Sequence, residues 1–130
     1  MINMAVQDRL DRLRTRFPGC SVVAFADLST GMIFAASTRE KMAHERLDAL
    51  CETARGSLCG PLAQSVAGDV LQTRDEPLHA VSFSGASLTC FVRCRKSPAE
   101  ALCFVCEVGT SIADVFSQGA EALADLCGEA

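Results

Sequence analysis

The chain has 130 residues, enough for one domain and too few for a second of ordinary size. Hydrophobic residues make up 49% of it, so a sizeable core can form and a largely disordered chain is excluded. The net charge is −4 and the basic residues are dispersed, with Arg9, Arg12, Arg14 and Arg16 interleaved with Asp8 and Asp11; a nucleic-acid or anionic-membrane surface needs clustered Lys and Arg and is not expected.

Residues 1–17 carry six charges and no long apolar run, so no secretory leader is expected. The eight cysteines then read as free thiols of a reducing cytosol rather than a disulfide framework. Most have apolar neighbours, where Cys acts as a small hydrophobe. No run approaches the ~18 apolar residues of a membrane span. A soluble, cytoplasmic protein is the expectation.

Met4 to Arg16 is expected to be a helix. Val6, Leu10, Leu13 and Phe17 form one stripe, Asp8 and Arg12 pair on the solvent side, and Pro18-Gly19 ends it. Ser21 to Ala26 and Met32 to Ser37 read as strands joined by the turn-forming Asp27–Gly31, an antiparallel hairpin. Val23 and Phe25 point one way, Val22, Ala24 and Ala26 the other, so both faces need cover.

A second helix is expected from Glu40 to Leu58, with Ala43, Leu47, Leu50, Cys51, Ala54 and Leu58 as its buried stripe. Gly60-Pro61 predicts a break, with a short continuation through Leu62 and Val66. Gly68 to Pro77 reads as a polar loop with Val70-Leu71 tucked inward.

Three strands follow: Leu78 to Ser84, Ser87 to Cys94 and Ala101 to Val108. Gly85-Ala86 suits a two-residue type II′ turn. That turn sets Phe83 opposite Leu88, Val81 opposite Cys90 and His79 opposite Val92 on one apolar face. The other face carries Ala80, Ser82, Thr89, Phe91 and Arg93 and is expected to be only partly covered. Ile112, Val115, Phe116, Gly119, Leu123 and Leu126 mark a last helix, started by Ser111 and Asp114 as in a capping box. The order α-β-β-α-β-β-β-α predicts an α+β fold, one five-stranded antiparallel sheet with helices on both faces.

This order resembles the roadblock/LC7 domain family. The matching stretches are the helix closed by Phe17-Pro18-Gly19, the hairpin SVVAFADLSTGMIFAAS (Ser21–Ser37) and the block ALCFVCEVGTSIADVF (Ala101–Phe116). Gly31 is the nearest to a signature position. The resemblance covers nearly the whole chain, so residues 1–130 would be one such domain, profilin-like in architecture. It implies strand order 2-1-5-4-3 and a dimerising module that binds and regulates small GTPases or serves as a subunit of dynein or a signalling scaffold. It also implies that two copies join through the third strand and second helix. Carried onto this chain, the joining residues are Leu47, Leu50, Ala54 and Leu58 of the helix with Leu78, His79, Ala80, Val81, Ser82 and Phe83 of the strand. The strand itself agrees, because Leu78–Ser84 has no charge and no internal Pro to guard an edge. Met32–Ser37 is equally unguarded, so either edge remains open to pairing.

Enzyme and metal sites find little support. Cys90, Cys94, Cys103 and Cys106 give C-x3-C and C-x2-C spacings, but a C-x2-C within a strand sends its thiols to opposite faces. His44 and His79 have no local partners that would make a Cys-His pair. Gly56-Ser-Leu-Cys-Gly60 has Leu58 where a nucleophile elbow needs its nucleophile. No P-loop or G-x-G-x-x-G occurs. Glu45, Glu52, Asp69 and Asp75 read as surface carboxylates, and Arg93 to Ser97 as a solvated basic tip. The expected function is a non-catalytic homodimeric protein-binding adaptor without cofactor, acting on a small GTPase by family resemblance alone. The rival is a small-molecule sensor of PAS or GAF type, which needs a hollow lined by large residues. A chain with no Trp or Tyr, and with strands full of Ala, Val and Cys, favours close packing instead. A thiol-based redox module is the third option.

Overall fold

A computed structural model describes residues 4–58 and 78–128. Their order is α1 (Met4–Arg16), β1 (Cys20–Asp27), β2 (Met32–Thr38), α2 (His44–Leu58), β3 (His79–Ser84), β4 (Ser87–Arg93), β5 (Glu100–Glu107) and α3 (Ile112–Gly128). The five strands form one antiparallel sheet in the order β2-β1-β5-β4-β3. The expected break at Gly60-Pro61, the continuation through Val66 and the Gly68–Pro77 loop lie outside the described residues.

The alternation of side chains along each strand sorts the core into two layers. On one face Val23, Phe25, Leu88, Cys90, Val92, Leu102, Phe104 and Cys106 meet Leu10 and Leu13 of α1, Phe17 just after it, and Val115, Ala122 and Leu123 of α3. On the other, Val22, Ala24, Ala26, Ala101 and Cys103 form a floor of small residues, with Phe91 its large fully buried side chain and Ile33 of β2 at its margin. A shallow floor lets a single helix lie close, and Cys51, Ala54 and Leu58 of α2 rest on it fully buried.

The β3–β4 register is the expected one: Phe83 opposite Leu88, Val81 opposite Cys90, His79 opposite Val92. Gly85 has φ of 60°, as the first central residue of a type II′ turn requires. The Asp114 N–H donates to Ser111 Oγ at 3.3 Å, so Ser111 caps α3.

Three expectations change. First, α2 starts at His44, not Glu40. Arg39 extends the β1 pairing, its N–H donating to Ser21 O, while its Nη2 holds Pro18 O and Cys20 O. Ala43 is therefore exposed at the helix start, its carbonyl accepting the first helical bonds, rather than part of the buried stripe. Second, Phe91 and Arg93 are buried on the face expected to be half covered, because α2 crosses it. Third, Arg93 is no part of a solvated tip: its Nη2 donates to Leu58 O, the last carbonyl of α2, where a cation complements the helix dipole. Arg95 and Lys96 alone of that basic cluster are exposed.

Candidate interaction surface

Both ends of the sheet are open strands among the described residues, and they differ. In β2, Phe25 pairs with Ala35 but Ala26 with Ile33, so Phe34 is an extra, bulged residue. The strand is also tied to its own chain. Gln7 Nε2 donates to Ala36 O at 3.1 Å, and the buried Ser37 hydroxyl sits between Arg14 Nε (2.8 Å) and Asp11 Oδ1 (2.5 Å). A bulge and side-chain attachments are what blunt an edge.

β3 has neither. It pairs with β4 in unbroken register over all six residues and, among the described residues, has no strand on its other side. The ladder phase fixes which groups face outward. Arg93 N–H donates to Leu78 O at 2.8 Å, which makes His79/Val92 a pair that exchanges no bond directly. Ala80, Ser82 and Ser84 therefore bond inward to β4. The N–H and C=O of His79, Val81 and Phe83 turn to the open edge.

The side chains of β3 divide by face. Ala80 packs on the α2 side and Val81 on the α1/α3 side. His79 is exposed and stacks on Phe116 at 4.4 Å between centroids. Its pKa is lowered by burial and by the charge of Arg95. Phe83 is 65% exposed. Phe83 thus lies uncovered at one end of the apolar face, while His79 at the other end is partly covered by Phe116 of α3.

Helix α2 lies across one face of the sheet, from β2 to β3. Its Glu52 and Arg55, an ion pair at 2.8 Å, lie against Gly31 of the β1–β2 turn. Leu50 projects from the opposite flank of the helix and, like Leu47, is half-buried against the α2-side core. Ala54 and Leu58 are 0% exposed and face the chain's own sheet. Of the ten residues that the resemblance singles out, His79 to Phe83 form the open strand, and Leu47 and Leu50 are half-buried on α2. Ala54 and Leu58 set the height of the helix above the sheet.

The other candidates disperse. Cys103 is buried on the α2 side and Cys106 on the α1/α3 side. Burial raises the Cys103 thiol pKa and pushes Cys90 up to about 11. Cys106 donates to Cys20, raising its own pKa and lowering that of Cys20. Among the described residues no three His, Cys, Asp or Glu side chains gather as a metal would need. His44 lies exposed, 3.8 Å from Asp48. Glu45 and Glu52 are exposed; Asp69 and Asp75 lie outside the described residues. No described helix is long and apolar enough to cross a membrane.

No family model matches the sequence, and no curated protein does. Solved structures do. A roadblock/LC7 domain from Streptomyces avermitilis superposes with a TM-score of 0.76 at 12% identity, over 93% of each chain. The gliding protein MglB of Thermus thermophilus gives 0.76 at 14% identity, over 100% of this chain and 96% of that one. An MglB with a tetrameric arrangement gives 0.74 at 12%, over 98% and 91%. The fold is of roadblock/LC7 type.

Proposed function

We propose that this chain, a single domain of roadblock/LC7-type fold, is a non-catalytic homodimeric adaptor that joins a second copy through β3 and the adjoining flank of α2. The merged sheet would present a composite surface to another protein, a small GTPase being the partner that the fold likeness suggests. The observation that carries the reading is the open β3 edge, straight and uncharged. The tetrameric arrangement of one similar MglB supports self-association.

Geometry restricts how two copies can pair. Residues directly opposite in an antiparallel pair point to the same face. The two-fold axis must therefore pass through a residue of β3, not between two. With Val81 opposite its own copy, each His79 faces a Phe83 and all three outward residues bond in full. The small Ala80 and Ser82 then lie on the α2 side, leaving room for the two helices to approach.

Val81→Pro is the test. Its lost N–H is one that faces the open edge, so the intramolecular ladder survives while the intermolecular one is broken. Light scattering should give twice the 13.8 kDa chain mass for the parent at micromolar concentration and the single mass for a folded Val81→Pro. A parent that stays monomeric at high micromolar concentration, or a variant that dimerises equally well, rejects the reading. Binding of a GTP-loaded small GTPase by the parent and not by the variant would extend it to the partner.

A further inference from the structure

A cleft of about 340 Å³ opens between the β4 end of the sheet and the second half of α3, away from the flank of α2. Its origin is local. Gly119 lets α3 press onto the sheet, since a Cβ there would meet Phe104 Cε1 and Val92 Cγ2, each at 3.1 Å. One turn on, the wall consists of Ala120, Ala124 and Cys127, at i, i+4 and i+7, too short to fill the space toward Leu78. Val92 and Leu123 form the floor, and both are buried.

The lining is almost wholly apolar, but the mouth is not. Arg95 and Lys96 stand there, both exposed, in a chain whose net charge is −4. Among the described residues no Asp or Glu lines the cleft. Glu100, outside the lining, accepts a hydrogen bond from the Cys127 thiol at 2.8 Å. His79 lines the same cleft, its pKa lowered first by burial and then by the charge of Arg95. An apolar slot of this size with two cations at its opening suits a small amphiphile, tail inside and anionic head at the mouth.

We propose that this cleft binds a free, unbranched alkyl carboxylate of medium length, its chain between Val92 and Leu123 and its carboxylate at Arg95 and Lys96. The cleft shares Leu78 and His79 with the β3 edge, but its wall on α3 and its mouth at Arg95 and Lys96 lie outside that edge, so variants there test it apart from the pairing.

Calorimetric titration of the full chain with octanoate, decanoate and decylamine tests it. Decanoate should bind one to one, more tightly than octanoate by roughly fourfold per added methylene. Decylamine should bind at least tenfold more weakly than decanoate. Ala124→Phe, an exposed wall position filled with a ring, should lose decanoate binding, and Ala120→Leu provides a second filling variant should the first not fold. Reversing the mouth with Arg95→Glu and Lys96→Glu should invert the preference between carboxylate and amine. The proposal is overturned by no saturable binding up to millimolar decanoate, by equal affinity for the amine, or by unchanged affinity in a folded wall variant. Partition of the chain onto anionic vesicles with no uptake of free decanoate would overturn it as well.

Discussion

Asp27 and Gly31 show how two residues close the β1–β2 turn. Asp27 Oδ1 accepts from Ser29 N–H (3.1 Å) and Oγ (2.7 Å), Oδ2 accepts from Thr30 Oγ1 (2.8 Å), and Gly31 N–H returns to Asp27 O (2.9 Å). The hydrogen bonds from Ser29 and then Thr30 hold the Asp27 pKa below its ordinary 3.8. A carboxylate depressed by folding adds stability above that value and loses it as pH falls through the folded one. Asp27→Ala should therefore lower the urea midpoint at pH 7 and flatten the acid limb of stability against pH below about 4. Gly31 has φ of 77°, a left-handed conformation that costs an L-residue about 1–2 kcal/mol, so Gly31→Ala should lose roughly that much in equilibrium unfolding. The family resemblance picks out Gly31; the backbone angle supplies the reason. Arg93 is a different case. Its neighbours in sequence are apolar and thiol residues followed by Arg95 and Lys96, which gives no sign that it reaches α2. Arg93→Ala should cost about 2–3 kcal/mol in the same measurement, because it removes a charged, buried hydrogen bond to the Leu58 carbonyl.

Elements with a strong period were legible in the sequence. α1 runs over the expected residues, α3 buries Val115, Gly119 and Leu123 as its spacing predicts, and the Gly85-Ala86 turn set the whole β3–β4 register. The start of α2 was not, because nothing local marks Arg39 as an extension of strand pairing held by carbonyls of another segment. Gly119 carries a testable balance. A helical Gly costs about 1 kcal/mol against Ala, so Gly119→Ala gains propensity that a Cβ contact at 3.1 Å offsets, and should come out near neutral. Gly119→Leu must lift α3 from Phe104 and Val92 and should cost roughly 1–3 kcal/mol in chemical denaturation.

At the scale of the molecule, one sheet carries two unlike faces: large side chains under α1 and α3, and a shallow floor of Ala and Cys under α2. Strand alternation showed in advance that both faces of β1 need cover; that α2 buries the Phe91 and Arg93 face did not follow from it. The choice between sheet edges could not be read in advance either, since β2 and β3 are equally free of charge. It rests on the Phe34 bulge and on the reach of Gln7, Arg14 and Asp11 from α1, contacts between segments far apart in the chain. The candidate surface was thus half legible: the strand by its composition, its openness only by the fold. Amide hydrogen exchange of His79, Val81 and Phe83 as a function of protein concentration probes that openness at the groups concerned. Their N–H groups should exchange fast in dilute solution and slow together as the chain is concentrated, while those of Ala80 and Ser82 stay protected throughout. Fast exchange of all three at every concentration would contradict pairing through β3.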